Sequence, residues 1–198
     1  MKSHRSLDDA VAALARPGGV VLYPTETVYG LGGRACDGLA ARRVAGIKGR
    51  ALLPLIVLVN GLPDGLPLRA RLLAEALWPG PVTLIVPAVP LPGGVADEVL
   101  SAEGTLALRW SPHPVAQALV AAAGPITSTS ANSHGQPPVL DPRSAAALAL
   151  PVDARVDGGV AAPGPSSTLV DTRTGAVLRE GAAIDAVRSA LAAAGYRA

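Results

Sequence analysis

The chain has 198 residues, of which 49% are hydrophobic, and 17 Lys and Arg against 15 Asp and Glu leave a net charge of +2. That size suits one large domain spanning residues 1–198, and the apolar content excludes a mainly disordered chain. So small a charge excess does not imply duplex binding by bulk electrostatics, although a local cluster of Arg could still hold phosphates, and the single Cys36 excludes an internal disulfide and suits a reducing, cytoplasmic setting. No secretory signal opens the chain, and the uncharged window 76–96 holds five prolines that would break a spanning helix, so the expectation is a soluble protein with no membrane association.

Ser6-Leu7-Asp8-Asp9 resembles a capping box, and Leu7, Ala10, Val11 and Leu14 follow at helical spacing until Pro17-Gly18-Gly19. Gly19 to Pro24 is an apolar, β-branched run of buried-strand type, and the polar, glycine-rich stretch Thr25 to Arg34 reads as a loop. Asp37 can cap a second helix with Leu39, Val44 and Ile47 along one side, which puts Lys48-Gly49-Arg50 at its C-terminal end. The pattern then predicts a strand at 54–59, a helix near 67–78, strands near 82–87 and 105–110, a helix over 113–123 and a strand over 125–129. Asp141-Pro142 reads as a cap followed by a first-turn proline, opening a short Ala-rich helix that runs to Leu150. Strands near 168–171 and 176–179 and a helix from about 183 to 194 complete the chain, with Pro/Gly-rich loops at 87–94 and 158–165. Alternation of this kind predicts the α/β class, with helices packed on a sheet.

Several chemistries are excluded by pattern. G-x-S-x-G and the Walker A motif are absent, and three dispersed His with one Cys offer no metal-ligand spacing, so no metal-binding residues are expected. His113 reads as a polar surface residue at a helix start. Gly30-Leu31-Gly32-Gly33-Arg34-Ala35 fits G-x-G-x-x-A, but six residues separate it from the strand, and Leu52 to Val59 holds no acid to take a ribose.

Three polar patches remain, each at the end of an apolar segment: Pro24 to Gly30, Lys48-Gly49-Arg50, and Thr127 to Asn132. Open α/β sheets bind ligands beyond strand ends, so such patches can converge on one cleft. Lys48 is one of only two lysines in an Arg-dominated chain; beside Arg50 it suits a point charge and a bidentate fork for phosphate, or equally a helix end that complements the macrodipole. Ser130 and Asn132 share a side if the strand continues, as an anion site or as turn chemistry.

Taken together, these residues resemble the YrdC/TsaC family of threonylcarbamoyl-AMP synthases over roughly 17–181. The likeness rests, in family order, on Tyr23-Pro-Thr-Glu-Thr-Val-Tyr-Gly-Leu-Gly32, the K-x-R of Lys48 and Arg50, Trp78-Pro-Gly-Pro-Val-Thr83, Leu108-Arg109 with Pro112-His113-Pro114, the S-x-N of Ser130 and Asn132, Ser167-Thr168-Leu-Val-Asp171, and Leu178-Arg179-Glu-Gly181. The resemblance implies a YrdC-like twisted mixed sheet with a concave, positively charged cleft, in the short form that lacks a further C-terminal domain. It implies an ATP-dependent nucleotidyltransferase joining L-threonine, bicarbonate and ATP, with Mg2+, into threonylcarbamoyl-AMP and pyrophosphate, the adenylate passing to partner proteins that modify tRNA. By the same resemblance Lys48, Arg50, Ser130 and Asn132 are catalytic and hold the phosphates, Thr105 and Arg179 are further ATP contacts, and Thr27, Arg109 and Ser167 bind threonine, Arg109 through its carboxylate.

The chain also departs from the family pattern. Leu53-Pro54 replaces a usual Asn-Pro, Leu58 stands where many members carry His, and Ser133-His134-Gly135 replaces the usual Leu-Ser-Gly. Loss of a polar contact at Leu58 predicts looser selection of threonine. Two rival readings follow. One is an RNA-binding module using Arg34, Arg42, Arg43, Lys48 and Arg50, against which stand the low net charge and the few aromatics, two Trp and three Tyr. The other is an adenylate-forming carbamoylation enzyme acting on a different amine.

Overall fold

The computed structural model describes residues 6–49, 51, 54–132, 136–161 and 164–196. Arg50, Leu53 and the Ser133-His134-Gly135 segment singled out above lie outside them.

Helix α1 (Leu7–Leu14) begins with the expected capping box: the Ser6 hydroxyl accepts from the Asp9 N–H while the Asp9 carboxylate reaches back to the Ser6 backbone. Strand β1 (Val21–Tyr23) follows. The stretch read as a loop contains a second strand, β2 (Gly30–Gly32), antiparallel to β1 and paired on its other side with Thr129 and Ser130. Its glycines are steric requirements. A Cβ on Gly32 would lie 1.7 Å from the Thr127 carbonyl oxygen, so this Gly-rich run is a strand squeezed between neighbours rather than a nucleotide-binding turn.

Helix α2 (Gly38–Lys48) is capped by Asp37, whose carboxylate accepts from the Ala40 N–H, and ends at Gly49 in the left-handed conformation (φ 59°). Its buried face is Ala40, Ala41, Val44 and Lys48; Leu39, expected on that face, is exposed. Then come β3 (Ile56–Leu58), α3 (Leu68–Leu77), β4 (Val82–Pro87), a single 3-10 turn at Asp97–Val99, β5 (Thr105–Arg109), α4 (Pro114–Ala123) and β6 (Ile126–Ser130). His113 caps α4 through its imidazole Nδ1, which accepts from the Val115 N–H, so it is half-buried at a helix start rather than free on the surface. Helix α5 (Ala145–Ala149) is capped by Ser144 and not by Asp141, whose carboxylate instead closes a turn on the Arg143 N–H. The two-residue β7 (Ala154–Arg155), too short for any periodicity, precedes β8 (Thr168–Asp171), β9 (Ala176–Arg179) and α6 (Ile184–Ala193).

The nine strands form one mixed sheet in the order β7-β1-β2-β6-β3-β5-β4-β8-β9. Paired residues face the same side of a sheet, so the register sorts the side chains. One face carries Leu22, Leu31, Val57, Leu84, Leu108 and Val170, buried under α2, α3 and α6. On the other face Val21, Tyr23, Leu58 and Ile126 are covered by α1 and α4, which bring Leu14, Leu119 and Val120. Helices α1 and α4 cover only part of that face. Farther along this face Ile56, Ala107 and Ile85, paired in one row, are left half-buried, and Ile56 of that row lines the site.

Candidate active site

Sheet register gathers most of the expected residues onto this uncovered face. Ser128 pairs with Ile56 and Ile56 with Ala107, so Ser130, Thr105 and Arg109, each an even number of residues along its strand, point the same way. Thr83 pairs with Leu169 and Leu169 with Arg179, which adds Ser167 and Arg179. A cavity of about 360 Å³ opens here, lined by Thr27, Arg109, Ser130, Ser167 and Arg179 among others, and the described residues lining it include no carboxylate.

Ser130 marks one end of the cavity, and Lys48 and Asn132 gather beside it without themselves lining the cavity. Lys48, only 6% exposed, reaches from the last turn of α2 past the end of β6, where its ammonium donates to the Ser130 carbonyl at 2.8 Å and to Asn132 Oδ1. Ser130 Oγ donates to the same Asn132 oxygen at 2.9 Å, and the Asn132 amide is anchored on the Gln136 carbonyl. The expected S-x-N pair therefore does share one side, although the strand stops at Ser130.

The other end is built around two guanidinium groups. Arg109 leaves β5 opposite Leu58, which pairs with Ile126, four residues and roughly 13 Å along the sheet from Ser130. The segment between β1 and β2 folds back over this face, so that Arg109 Nη2 donates to Thr27 Oγ1 at 3.0 Å and to Glu26 Oε1 at 2.6 Å. Arg179 Nε and Nη2 donate to the Ser167 carbonyl at 3.1 and 2.9 Å, and Nη2 also donates to Ser167 Oγ at 3.0 Å; that hydroxyl is itself 2.9 Å from Thr83 Oγ1. Burial, and secondarily the positive charge of Arg109, hold the Arg179 guanidinium below its usual pKa. Arg109 Nε is buried with no hydrogen-bond partner among the described residues. Two guanidinium groups balanced by one carboxylate, with a buried donor unused, make this end a receptor for an anion.

Two more expected residues have surroundings of their own. Thr105 shares the face but does not line the cavity, and its hydroxyl lies 2.7 Å from Ser101 Oγ, closing a turn. Arg179, expected as an ATP contact, is grouped with Ser167 and Arg109. Leu58 is fully buried with Tyr23, Ile126 and Leu119 and does not line the cavity, so its side chain works as core. Glu26 was not singled out from sequence; an acid inside Thr-Glu-Thr announces its role only once a partner arginine comes from a strand 83 positions away. Of the basic set of the RNA reading, Arg42 pairs with Glu98 and lines a surface cavity together with Arg34, Arg43 pairs with Asp153, and Lys48 turns inward. Among the described residues no group of His, Cys, Asp and Glu could hold a metal ion, and no helix is long and apolar enough to cross a membrane.

Known proteins are similar to this chain in sequence and fold. The Sua5, YciO and YrdC family model, described as telomere recombination, matches residues 13–181. The threonylcarbamoyl-AMP synthase of Xanthomonas campestris pv. campestris is 42% identical over 191 residues, covering 88% of this chain and 97% of that one. Among solved structures, P. abyssi Sua5 complexed with L-threonine matches with a TM-score of 0.73 at 32% identity, covering 83% of this chain and 50% of that one; the present chain thus spans half of that relative. E. coli YciO matches with a TM-score of 0.75 at 26% identity over 91% of this chain and 92% of its own. Because the family model covers well over half of the sequence and its relatives share the fold that builds the cavity, this chain belongs to the Sua5/YciO/YrdC family.

Proposed function

We propose that this chain is an L-threonylcarbamoyladenylate synthase, a nucleotidyltransferase that condenses L-threonine, bicarbonate and ATP. The observation that carries the reading is one cavity lined without carboxylates, with Arg109, Arg179 and Ser167 at one end and Ser130 beside the Lys48 ammonium at the other. Threonine enters the arginine end with its carboxylate on Arg109 and with Thr27 and Ser167 beside it. The triphosphate takes the Lys48 end, with Ser130, Asn132 and Arg50 as its further donors, and Thr105 flanks the nucleotide. Arg179, at the arginine end, serves the nucleotide from the α-phosphate side.

The chemistry needs no protein nucleophile. The threonine amine attacks the carbon of bicarbonate, water leaves, and one oxygen of the resulting carbamate attacks the α-phosphorus as the bond to pyrophosphate breaks. The protein orients the two reactants and sets fixed positive charge where negative charge accumulates on the phosphates. Mg2+ would arrive with the triphosphate. The neutral oxygens of Ser130, which lines the pocket, and of Asn132 beside it suit an ion carried mainly by phosphate oxygens, whose charge it would screen. The adenylate product would pass to partner proteins acting on tRNA.

The test is pyrophosphate release from ATP and bicarbonate with threonine, with serine and with no amino acid, alongside mass detection of threonylcarbamoyl-AMP. Threonine-dependent release with the adenylate present is the expected result. No stimulation by threonine over the blank rejects the substrate assignment.

A further inference from the structure

We propose that Glu26 is the positioning residue of Arg109: it grips the guanidinium from outside the pocket and presents the remaining donors to the amino-acid substrate. The inference rests on the reading of that end of the cavity as the threonine site.

Both carboxylate oxygens of Glu26 are engaged. Oε1 accepts from Arg109 Nη2 at 2.6 Å and Oε2 accepts from the Ser111 hydroxyl, which in turn accepts from the His113 N–H. Glu26 does not line the cavity, whereas Arg109 and Thr27 do, so it acts on a ligand only through Arg109. The pair is shielded, with side chains 6% and 18% exposed.

The need for such a grip follows from the surroundings. A guanidinium has five N–H donors on a long side chain with several rotatable bonds. Arg109 also shares its pocket with Arg179, close enough for the two charges to be felt. Without an outside acid the like charge would push Arg109 away, and a substrate carboxylate would then have to order it at binding. Glu26 and Thr27, adjacent on one turn, together use the two Nη2 hydrogens and leave Nε and Nη1 for the ligand, Nε being the buried donor with no partner. The turn itself is fixed, because the Thr25 hydroxyl donates to the Val28 carbonyl at 2.7 Å and lies 3.1 Å from Thr27 Oγ1.

The test compares Glu26→Ala, Glu26→Gln and Ser111→Ala with the wild type. Kinetics are read as separate KM values for threonine and ATP. The Arg109 Nε–H resonance is read in arginine-labelled protein and assigned by its loss in Arg109→Lys. Glu26→Ala is expected to raise the threonine KM about tenfold or more while the ATP KM stays within about twofold. Glu26→Gln, which keeps an acceptor oxygen, and Ser111→Ala are expected to shift it less in the same direction. The Arg109 resonance should be sharp in the wild type and broadened in Glu26→Ala. A folded Glu26→Ala protein with unchanged threonine KM and an unchanged Arg109 resonance overturns the proposal, and so does a parallel rise in both KM values. If the wild type shows no threonine-dependent turnover, the functional reading has failed, and the resonance still decides whether Glu26 holds Arg109.

Discussion

Lys48 shows how much one side chain can carry. It is buried at a helix end, where its charge complements the carbonyl dipoles of α2, and yet its ammonium is turned onto Ser130 and Asn132. The macrodipole reading and the proposed phosphate role are thus compatible: the helix end pre-places a cation where the proposed triphosphate site would need one. Lys48→Met keeps the length and removes the charge, so threonine-dependent pyrophosphate release should fall by about 10²-fold or more while the thermal midpoint moves little. A variant retaining a tenth of wild-type activity would contradict that role. Leu58 makes the opposite case. Fully buried beneath α4, Leu58→Ala should cost about 2 to 5 kcal/mol in urea unfolding and leave the threonine KM of the folded protein near the wild-type value. A selective rise in that KM would restore Leu58 to substrate selection. The sequence singles out the family's polar residues because chemistry restricts which side chains such a site can use. It could not tell that Leu58 faces a helix, because the even-numbered positions of one strand serve both core and cavity.

At the level of elements, long periodic segments were legible and short ones were not. Helix α1 announced itself through Ser6 and Asp9, and α2 through Asp37, because a cap is a local hydrogen bond between neighbours in sequence. Strands β2 and β7 exist only through their partners; three residues that are mostly glycine have no pattern to read until β1 and β6 close on both sides. Steric consequences follow for β2. Gly32→Ala places a methyl group against the Thr127 backbone, which cannot withdraw without breaking the β2–β6 pairing that holds Ser130. The expected outcome is a loss of about 3 kcal/mol or more, or failure to fold, seen as a lowered urea midpoint. Asp37→Ala is a milder test. Its carboxylate accepts from the Ala40 N–H at 3.1 Å and from the Gly18 N–H at 2.6 Å, so it ties the start of α2 to the α1–β1 turn, and its loss should cost about 1 to 2 kcal/mol.

For the whole molecule, acid stability depends on carboxylates that join distant parts of the sheet. Asp153, beside the short β7, accepts from the Val20 N–H at 2.9 Å and from Arg43 Nη1 at 2.7 Å, and so links the β1 edge to α2. Burial by itself would raise its pKa, but the Val20 N–H and Arg43 outweigh that and hold it below the ordinary carboxylate value. At the far side of the sheet the Arg173 side chain, bonded to Asp171 at the end of β8, lowers the Asp171 carboxyl in the same direction. A carboxylate whose folded-state pKa is depressed contributes stability above its unfolded value, near pH 4, and that contribution is lost as pH falls through the lower folded-state value. Asp153→Asn should therefore lower the urea midpoint at pH 7, by roughly 1 kcal/mol once solvent screening of this partly exposed pair is allowed for. Its deficit against the wild type should stay constant down to about pH 4 and shrink below it, because the wild type then loses what the variant never had. Urea titrations of both proteins from pH 7 to pH 3 measure this directly. A deficit that is the same at every pH would mean that Asp153 contributes by packing, and that its charge does not link β1 to α2.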